Sequence, residues 1–166
     1  MKALSIFQPF ASAVACGLKH YEVQSAAPPQ GLIGEVIAIH AHSRWKSGDS
    51  ACLTALRSMG CHPCFGDDPP LDCIVAVAKL KACLPAERAR QHLDKHPGDP
   101  AWEFEEHLTD FSAGGFVWAL TGVIALDEPV ACKGPHHLLL DLPQEVQKVL
   151  DGELLNNALK EVYRRG

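Results

Sequence analysis

The stretch that decides the fold runs from residue 17 to residue 24 and reads Gly17-Leu18-Lys19-His20-Tyr21-Glu22-Val23-Gln24. The apolar residues before it fall at helical spacing: Phe10, Ala13 and Val14. Pro9 suits the first turn of a helix, and Gly17 is typical of the left-handed residue that ends one. We therefore predict a short helix that ends at Gly17 and an extended segment over residues 19–24.

Lys19 and Glu22 are the candidate chemical groups of this stretch. Side chains alternate along a strand, so the two can converge only if the chain bends near residue 20. A lysine in a cleft can hold a phosphate as a point charge, or act as a base if desolvation lowers its pKa. The alternative is a solvated lysine on a strand edge, paired with Glu22.

The rest of the chain alternates between predicted strands and helices. Strands are predicted over residues 32–42, 72–83 and 116–126, with a short one over 129–132, whereas the apolar run over 3–7 is too short to classify by periodicity. Helices are predicted over 50–59, 85–96, 143–150 and 153–165, and residues 60–71, with three prolines and two glycines, read as a loop. The pattern favours a small, barrel-like α+β domain.

Composition limits the class of protein. The chain has 166 residues and a formal net charge of −5, with 47% apolar and 21% charged residues, which excludes disorder as the dominant state. No apolar run is long enough for a membrane span, and the first residues do not resemble a signal peptide, so we expect a cytoplasmic protein.

The charge is unevenly distributed between the two halves of the chain. Residues 1–83 hold seven bases and six acids, whereas residues 84–166 hold eight bases and fourteen acids. A protein that binds long tracts of nucleic acid carries a basic face. The excess of acidic residues in the second half of the chain therefore argues against this class of protein. The acidic run Glu103-Phe104-Glu105-Glu106 is interpreted as a solvated helical face or, alternatively, as a surface for a basic partner.

The seven cysteines do not define a metal site. Their number is odd and no secretory signal precedes them, so reduced, mostly buried thiols are expected. Cys61 and Cys64 form the one closely spaced pair, whereas structural zinc sites usually have two such pairs. We expect no metal and no cofactor, with Cys61 and Cys64 as the zinc ligands if there is one.

The 17–24 stretch resembles the signature of the activating-signal-cointegrator homology (ASCH) family, Gly-x-Lys-x-x-Glu-x-Arg. Gly17, Lys19 and Glu22 match it, and Gln24 stands in place of the arginine. Later strands and turns of the family are similar to four further segments, residues 34–41, 74–80, 116–120 and 126–134. The resemblance therefore covers roughly residues 3–145. It implies an α+β fold with a PUA-like β-barrel of five to six mostly antiparallel strands and flanking helices. The domain would span residues 1–145, and residues 146–166 would form a C-terminal helical extension packed on it.

The resemblance also implies a cleft that binds RNA, or a nucleoside or nucleotide, with Lys19 and Glu22 as its central pair. Gln24 is less able than arginine to hold phosphate, but it can read a base edge or an amide. Other residues predicted to line the cleft are Ser5, Gln8, Phe10, Gln24, His40, Trp118 and His136. The alternatives are a small amidohydrolase or ribonuclease that acts on a modified nucleoside or RNA with Lys19 as base, and a protein-interaction module. The sequence leaves the ligand and the oligomeric state open.

Overall fold

A computed structural model of the chain describes residues 1–45, 69–94, 108–133 and 138–152, together with Thr54 and Glu105. In these ranges the strands are β1 (Lys2–Gln8), β2 (Tyr21–Gln24), β3 (Val36–Trp45), β4 (Cys73–Pro85), β5 (Phe116–Ala131) and β6 (Leu139–Asp141). The helices are α1 (Phe10–Ala15), α2 (Ala86–Asp94) and α3 (residues 144–152), and Phe111–Ala113 form a 3-10 turn.

The six strands form one mixed sheet in the order β2-β5-β4-β3-β1-β6. β1 lies parallel to β3, and the other neighbouring pairs are antiparallel. The α+β class and the number of strands predicted from the sequence are confirmed. The sheet is not closed into a complete barrel, since in the described ranges the short strands β2 and β6 are its two edges.

Apolar residues on both sides of the sheet are buried. α1 is buried along its whole length and packs with β1, β3 and β4 over one face. The other face holds a second cluster, in which Val146 and Leu150 of α3 pack against Ala38 and Val77. α3 thus matches the helix predicted at residues 143–150, and α2 matches the one predicted at 85–96.

β5 differs from the two separate strands predicted at residues 116–126 and 129–132. It is one strand of 16 residues that pairs with β4 along its length. A proline lacks the N–H that a neighbouring strand would bond. Pro129 is tolerated because β2 pairs only with Phe116–Ala119, so in the described ranges no strand pairs with the outer edge of β5 near Pro129. The polar run before Pro129 had the appearance of a turn.

β3 also differs from its predicted bounds, beginning at Val36 rather than at residue 32. Gly31 and Gly34 both have positive φ, so a turn occupies the first residues of the predicted strand. The predicted helices at 50–59 and 153–165 and the loop at 60–71 lie wholly or almost wholly outside the described residues. None of the helices in the described ranges is long and apolar enough to cross a membrane.

The cysteines within the described ranges, Cys16, Cys73, Cys83 and Cys132, are all free thiols. Burial, together with the nearby Asp72 and Cys132, raises the pKa of the Cys73 thiol to about 11. Burial also raises the pKa of Cys132. Both side chains therefore stay protonated near neutral pH and act as small apolar groups, as the sequence predicts.

Candidate functional site

A cavity of about 420 Å³ opens where α1 and β2 meet the chain segment before β5. Its wall combines charged, amide, hydroxyl, imidazole and apolar groups. The residues that line it are Ser5, Phe7, Phe10, Lys19, Glu22, Val23, Gln24, His42, Leu108, Thr109, Asp110, Ala113 and Leu138. Five of the residues predicted from the sequence therefore meet at one place: Ser5, Phe10, Lys19, Glu22 and Gln24.

The bend predicted near residue 20 brings Lys19 and Glu22 together. Gly17 adopts φ +72°, which ends α1 in the left-handed conformation and turns the chain back over the helix. Backbone N–H groups of Leu18 and Lys19 then donate to the carbonyl of Ala13. Since β2 begins only at Tyr21, Lys19 is released from the strand alternation, and its Nζ lies 3.4 Å from Oε2 of Glu22.

The Lys19 ammonium is buried, with 2% of its side chain exposed, and its donors are all used. Nζ donates to the carbonyls of Tyr21 at 2.5 Å and Leu108 at 2.8 Å, and to Oγ1 of Thr109 at 2.6 Å. An ammonium group has three N–H donors, so these three acceptors match it. The face of the Phe10 ring lies 5.5 Å away and adds a cation–π contact.

Glu105 provides a second negative charge beneath Lys19. It is 1% exposed, and its Oε1 lies 3.9 Å from Nζ of Lys19. Its carboxylate accepts from the backbone N–H groups of His20 at 2.6 Å and Tyr21 at 3.1 Å, and from the Thr109 hydroxyl at 2.7 Å. The buried carboxylate is therefore well satisfied, and it holds β2 and the lysine in place.

This burial corrects the interpretation of the acidic run as a solvated face. Glu105 points into the protein, whereas the other residues of that run lie outside the described ranges. Thr109 lies four residues after Glu105, a spacing at which helical side chains meet, but this spacing alone does not indicate burial.

The cavity wall carries two carboxylates, Glu22 and Asp110, and one ammonium, Lys19. The Nε2 group of Gln24 donates to Oε1 of Glu22 over 3.4 Å, so the amide and the carboxylate lie side by side. Lys19 is already neutralised from below by Glu105. The wall is therefore slightly acidic, which favours ligands with N–H donors over phosphate.

Aromatic rings form another part of the wall. Phe7 and His42 lie with ring centroids 4.5 Å apart and planes tilted by 43°, and Phe7 is 44% exposed. Neither residue was predicted to belong to the site. Alternation along β3 was the available signal for His42, because it lies two positions after His40.

Ser5 in the cavity wall and His40 behind it are in contact. Nδ1 of His40 lies 2.9 Å from Oγ of Ser5, and its Nε2 lies 2.8 Å from the carbonyl oxygen of Cys132. The two residues are paired in the register of the parallel strands β1 and β3. His40 is 2% exposed, so only Ser5 reaches the cavity itself.

Two of the predicted lining residues lie elsewhere. Gln8 is fully buried, accepting from the backbone and hydroxyl of Ser12 and donating to the carbonyl of Pro70, and so fixes the start of α1. Trp118 is fully buried in the core, with its Nε1 donating to the carbonyl of Ala26 at 3.0 Å. Both were predicted to line the cleft, but these contacts assign them to packing.

His136, Cys61 and Cys64 lie outside the described residues. Within the ranges that the structure does describe, no three His, Cys, Asp or Glu side chains are grouped so that they could hold a metal ion.

The pair His20–Glu105 makes part of the stability depend on pH. Nδ1 of His20 lies 3.6 Å from Oε2 of Glu105, and the interaction with this carboxylate raises the pKa of His20 against the opposing effect of burial. A histidine whose pKa is raised by folding contributes stability that is present below its ordinary pKa of about 6.5 and is lost as pH rises through the folded value.

We therefore expect His20→Gln to cost more stability at about pH 5.5 than at about pH 8.5. The difference should stay below about 1 kcal/mol, since 39% of the His20 side chain is exposed and solvent screens the pair. Urea denaturation of both proteins at the two pH values measures it. A larger cost at the higher pH would contradict the assignment.

Solved structures with a similar fold are known. The ASCH protein from Zymomonas mobilis superimposes with a TM-score of 0.54 at 14% sequence identity, over 91% of this chain and 93% of that chain. Two mutant proteins of the same ASCH protein align similarly, with TM-scores of 0.53 and 0.54 at 14% identity, over 91% of this chain and 94% and 96% of theirs. No family model matches the sequence, and no curated protein does so significantly.

The chain therefore has the fold of an ASCH protein. The resemblance first seen in Gly17, Lys19 and Glu22 is confirmed at the level of the fold, over nearly the whole chain.

Proposed function

We propose that the cavity beside Lys19, Glu22 and Gln24 binds a single nucleobase, presented by a nucleoside, a nucleotide or a short single strand of RNA. The observation that carries the proposal is the arrangement of Glu22 and Gln24, whose carboxylate and amide lie side by side in the cavity wall. Such a pair offers adjacent donors and acceptors of the kind that read the edge of a base.

The size and composition of the cavity support a ligand no larger than a nucleoside. A volume of about 420 Å³ is near the lower end of small-molecule sites, which measure about 300–1,000 Å³. Phe7 and Phe10 supply aromatic surface, on which a base can stack.

The charge of the wall supports recognition of the base rather than of a phosphate. Lys19 is the basic residue of the lining, and its three donors are directed to groups of the protein. Gln24 occupies the position of the arginine in the family signature and carries no charge. Base-edge donors such as an exocyclic amine are the natural partners of Glu22 and Asp110.

The same geometry bears on the hydrolase alternative with Lys19 as base. A lysine can accept a proton only as the neutral amine, whereas its present contacts need all three ammonium protons. Binding without Lys19 base chemistry is therefore the function that we favour. In the acidic run at residues 103–106, Glu105 is buried beneath Lys19, which does not favour the alternative of an acidic surface for a basic partner.

Calorimetric titration with cytidine, adenosine and uridine, and with their 5′-monophosphates, tests the proposal. We expect at least one nucleoside to bind, and its monophosphate to bind no more tightly. Glu22→Gln should weaken the binding about tenfold or more, because a hydrogen bond to a charged group is lost. Gln24→Arg should shift the preference toward the monophosphate.

Glu128→Gln is the matched control, because it removes the same charge from an exposed position on β5 outside the cavity. Failure of all six compounds and of short RNA to bind would refute the proposal. An equal effect of Glu22→Gln and Glu128→Gln would refute the role of Glu22.

A further inference from the structure

We propose that Ser5 and His40 form a nucleophile–base pair that hydrolyses a small carboxylic ester bound in the cavity. A serine hydroxyl becomes a useful nucleophile when a base lies within hydrogen-bond reach and a third group orients that base. Ser5, His40 and the carbonyl of Cys132 meet these three requirements.

The hydrogen bonds define the tautomer of the imidazole. The carbonyl oxygen of Cys132 can only accept, so the Nε2 atom of His40, 2.8 Å away, carries a proton. In the neutral ring Nδ1 is then an acceptor, and the Ser5 hydroxyl, 2.9 Å away, donates to it. This is the direction of proton transfer that general-base catalysis requires.

The fold holds both groups rigidly. Ser5 and His40 lie opposite each other in the register of β1 and β3, two strands of the interior of the sheet. His40 is 2% exposed and contacts a fixed partner at each nitrogen, whereas Ser5 lines the cavity. The base is thus shielded from bulk water, and the hydroxyl can meet a ligand.

A purely structural histidine would also have both nitrogens satisfied. The location of its partner at the wall of a ligand-sized cavity is the feature that favours catalysis. Phe7, which lies two positions after Ser5 on β1 and lines the same cavity, can contact the acyl group or the alcohol of an ester.

The reaction proceeds through an acyl-enzyme. Oγ of Ser5 attacks the ester carbonyl carbon while its proton passes to Nδ1 of His40. The bond from that carbon to the alkoxide oxygen then breaks, and the alcohol leaves with the proton from Nδ1. Water then gives a proton to Nδ1 and attacks the carbonyl carbon of acyl-Ser5. The bond from that carbon to Oγ breaks, and Nδ1 returns the proton to Oγ, which releases the carboxylic acid and restores the serine hydroxyl.

This proposal does not depend on nucleobase binding. Its reacting groups, Ser5 and His40, lie on β1 and β3, whereas Glu22 and Gln24 lie on β2. Nucleoside titration of Glu22→Gln therefore tests the binding proposal, and ester turnover and labelling of the Ser5 and His40 variants test the esterase proposal.

Labelling of the intact protein with a fluorophosphonate, followed by peptide mass spectrometry, gives the direct test. We expect one label per chain, on Ser5, and turnover of p-nitrophenyl acetate that Ser5→Ala abolishes. Ser25→Ala is the control, because it removes a hydroxyl from an exposed position outside the cavity. It should label and turn over like the unsubstituted protein.

His40→Gln separates base catalysis from folding. Its amide oxygen can accept from Ser5 and its amide nitrogen can donate to the Cys132 carbonyl, but the amide is not a base. We expect labelling of Ser5 to slow by about 10²–10⁴-fold. Absence of label on Ser5 in the unsubstituted protein, or labelling of His40→Gln at an unchanged rate, would overturn the proposal.

Discussion

Replacement of Lys19 by methionine is expected to lower the free energy of unfolding by about 3–5 kcal/mol, because it leaves the buried carboxylate of Glu105 without its countercharge. The substitution keeps a long side chain against Phe10 but removes three hydrogen-bond donors. The carbonyls of Tyr21 and Leu108 lose a charged partner at the same time. Urea denaturation followed by tryptophan fluorescence measures the loss.

Lys2→Met is the matched control for this prediction. Lys2 lies 2.7 Å from Asp141, but the two side chains are 40% and 82% exposed. Removal of such a surface pair should cost less than about 1 kcal/mol. If Lys19→Met cost no more than Lys2→Met, the buried network would not stabilise the fold.

A double-mutant cycle identifies the partner of Lys19. In Lys19→Met with Glu105→Gln, no carboxylate remains buried beneath residue 19, so the double variant should be more stable than the sum of the two single losses indicates. Additive losses would show that Lys19 and Glu105 act independently.

Replacement of Trp118 by alanine is expected to cost about 3–5 kcal/mol, because Trp118 is among the largest side chains that are fully buried in the described ranges. It packs in the cluster that α1 covers, and its Nε1–H is bonded to the carbonyl of Ala26. Thermal and urea denaturation should both detect the loss.

Two further substitutions define the role of Trp118. Trp118→Phe keeps most of the apolar volume but leaves the Ala26 carbonyl without its partner, so the loss should be about 1–3 kcal/mol. Trp45→Ala, at a partly exposed tryptophan near the end of β3, should cost less than Trp118→Ala. Loss of nucleoside binding by a folded Trp118→Phe variant would show that Trp118 contributes to the binding site.

Local signals in the sequence predicted the elements around the site well. Gly17 determined where α1 ends, and the bend that it allows brought Lys19 close to Glu22. These features depend on neighbours within a few residues. Backbone conformation and side-chain alternation therefore suffice to derive them.

Residues distant in the chain were not predictable in the same way. Glu105 belongs to an acidic run, and hydrophilic runs normally face water. Its burial is explained only by its tertiary contacts with Lys19 and the β2 backbone. The short strand β6 is likewise defined by its pairing with β1. Trp118 could be assigned to the core only from the sheet, which shows that its side chain lies on a buried face.

The polar contacts of Lys19 also constrain the order in which parts of the protein can fold during synthesis. Its partner Leu108 lies 89 residues further along the chain, and Thr109 lies 90 further. During synthesis the ammonium group leaves the ribosome long before either partner, and dehydration of an unpaired charge is costly. β1 and β3 can pair with each other before then, whereas in the part of the chain that the structure describes β2 pairs only with β5, so the part of the cavity around Lys19 forms only after residue 109 has been made.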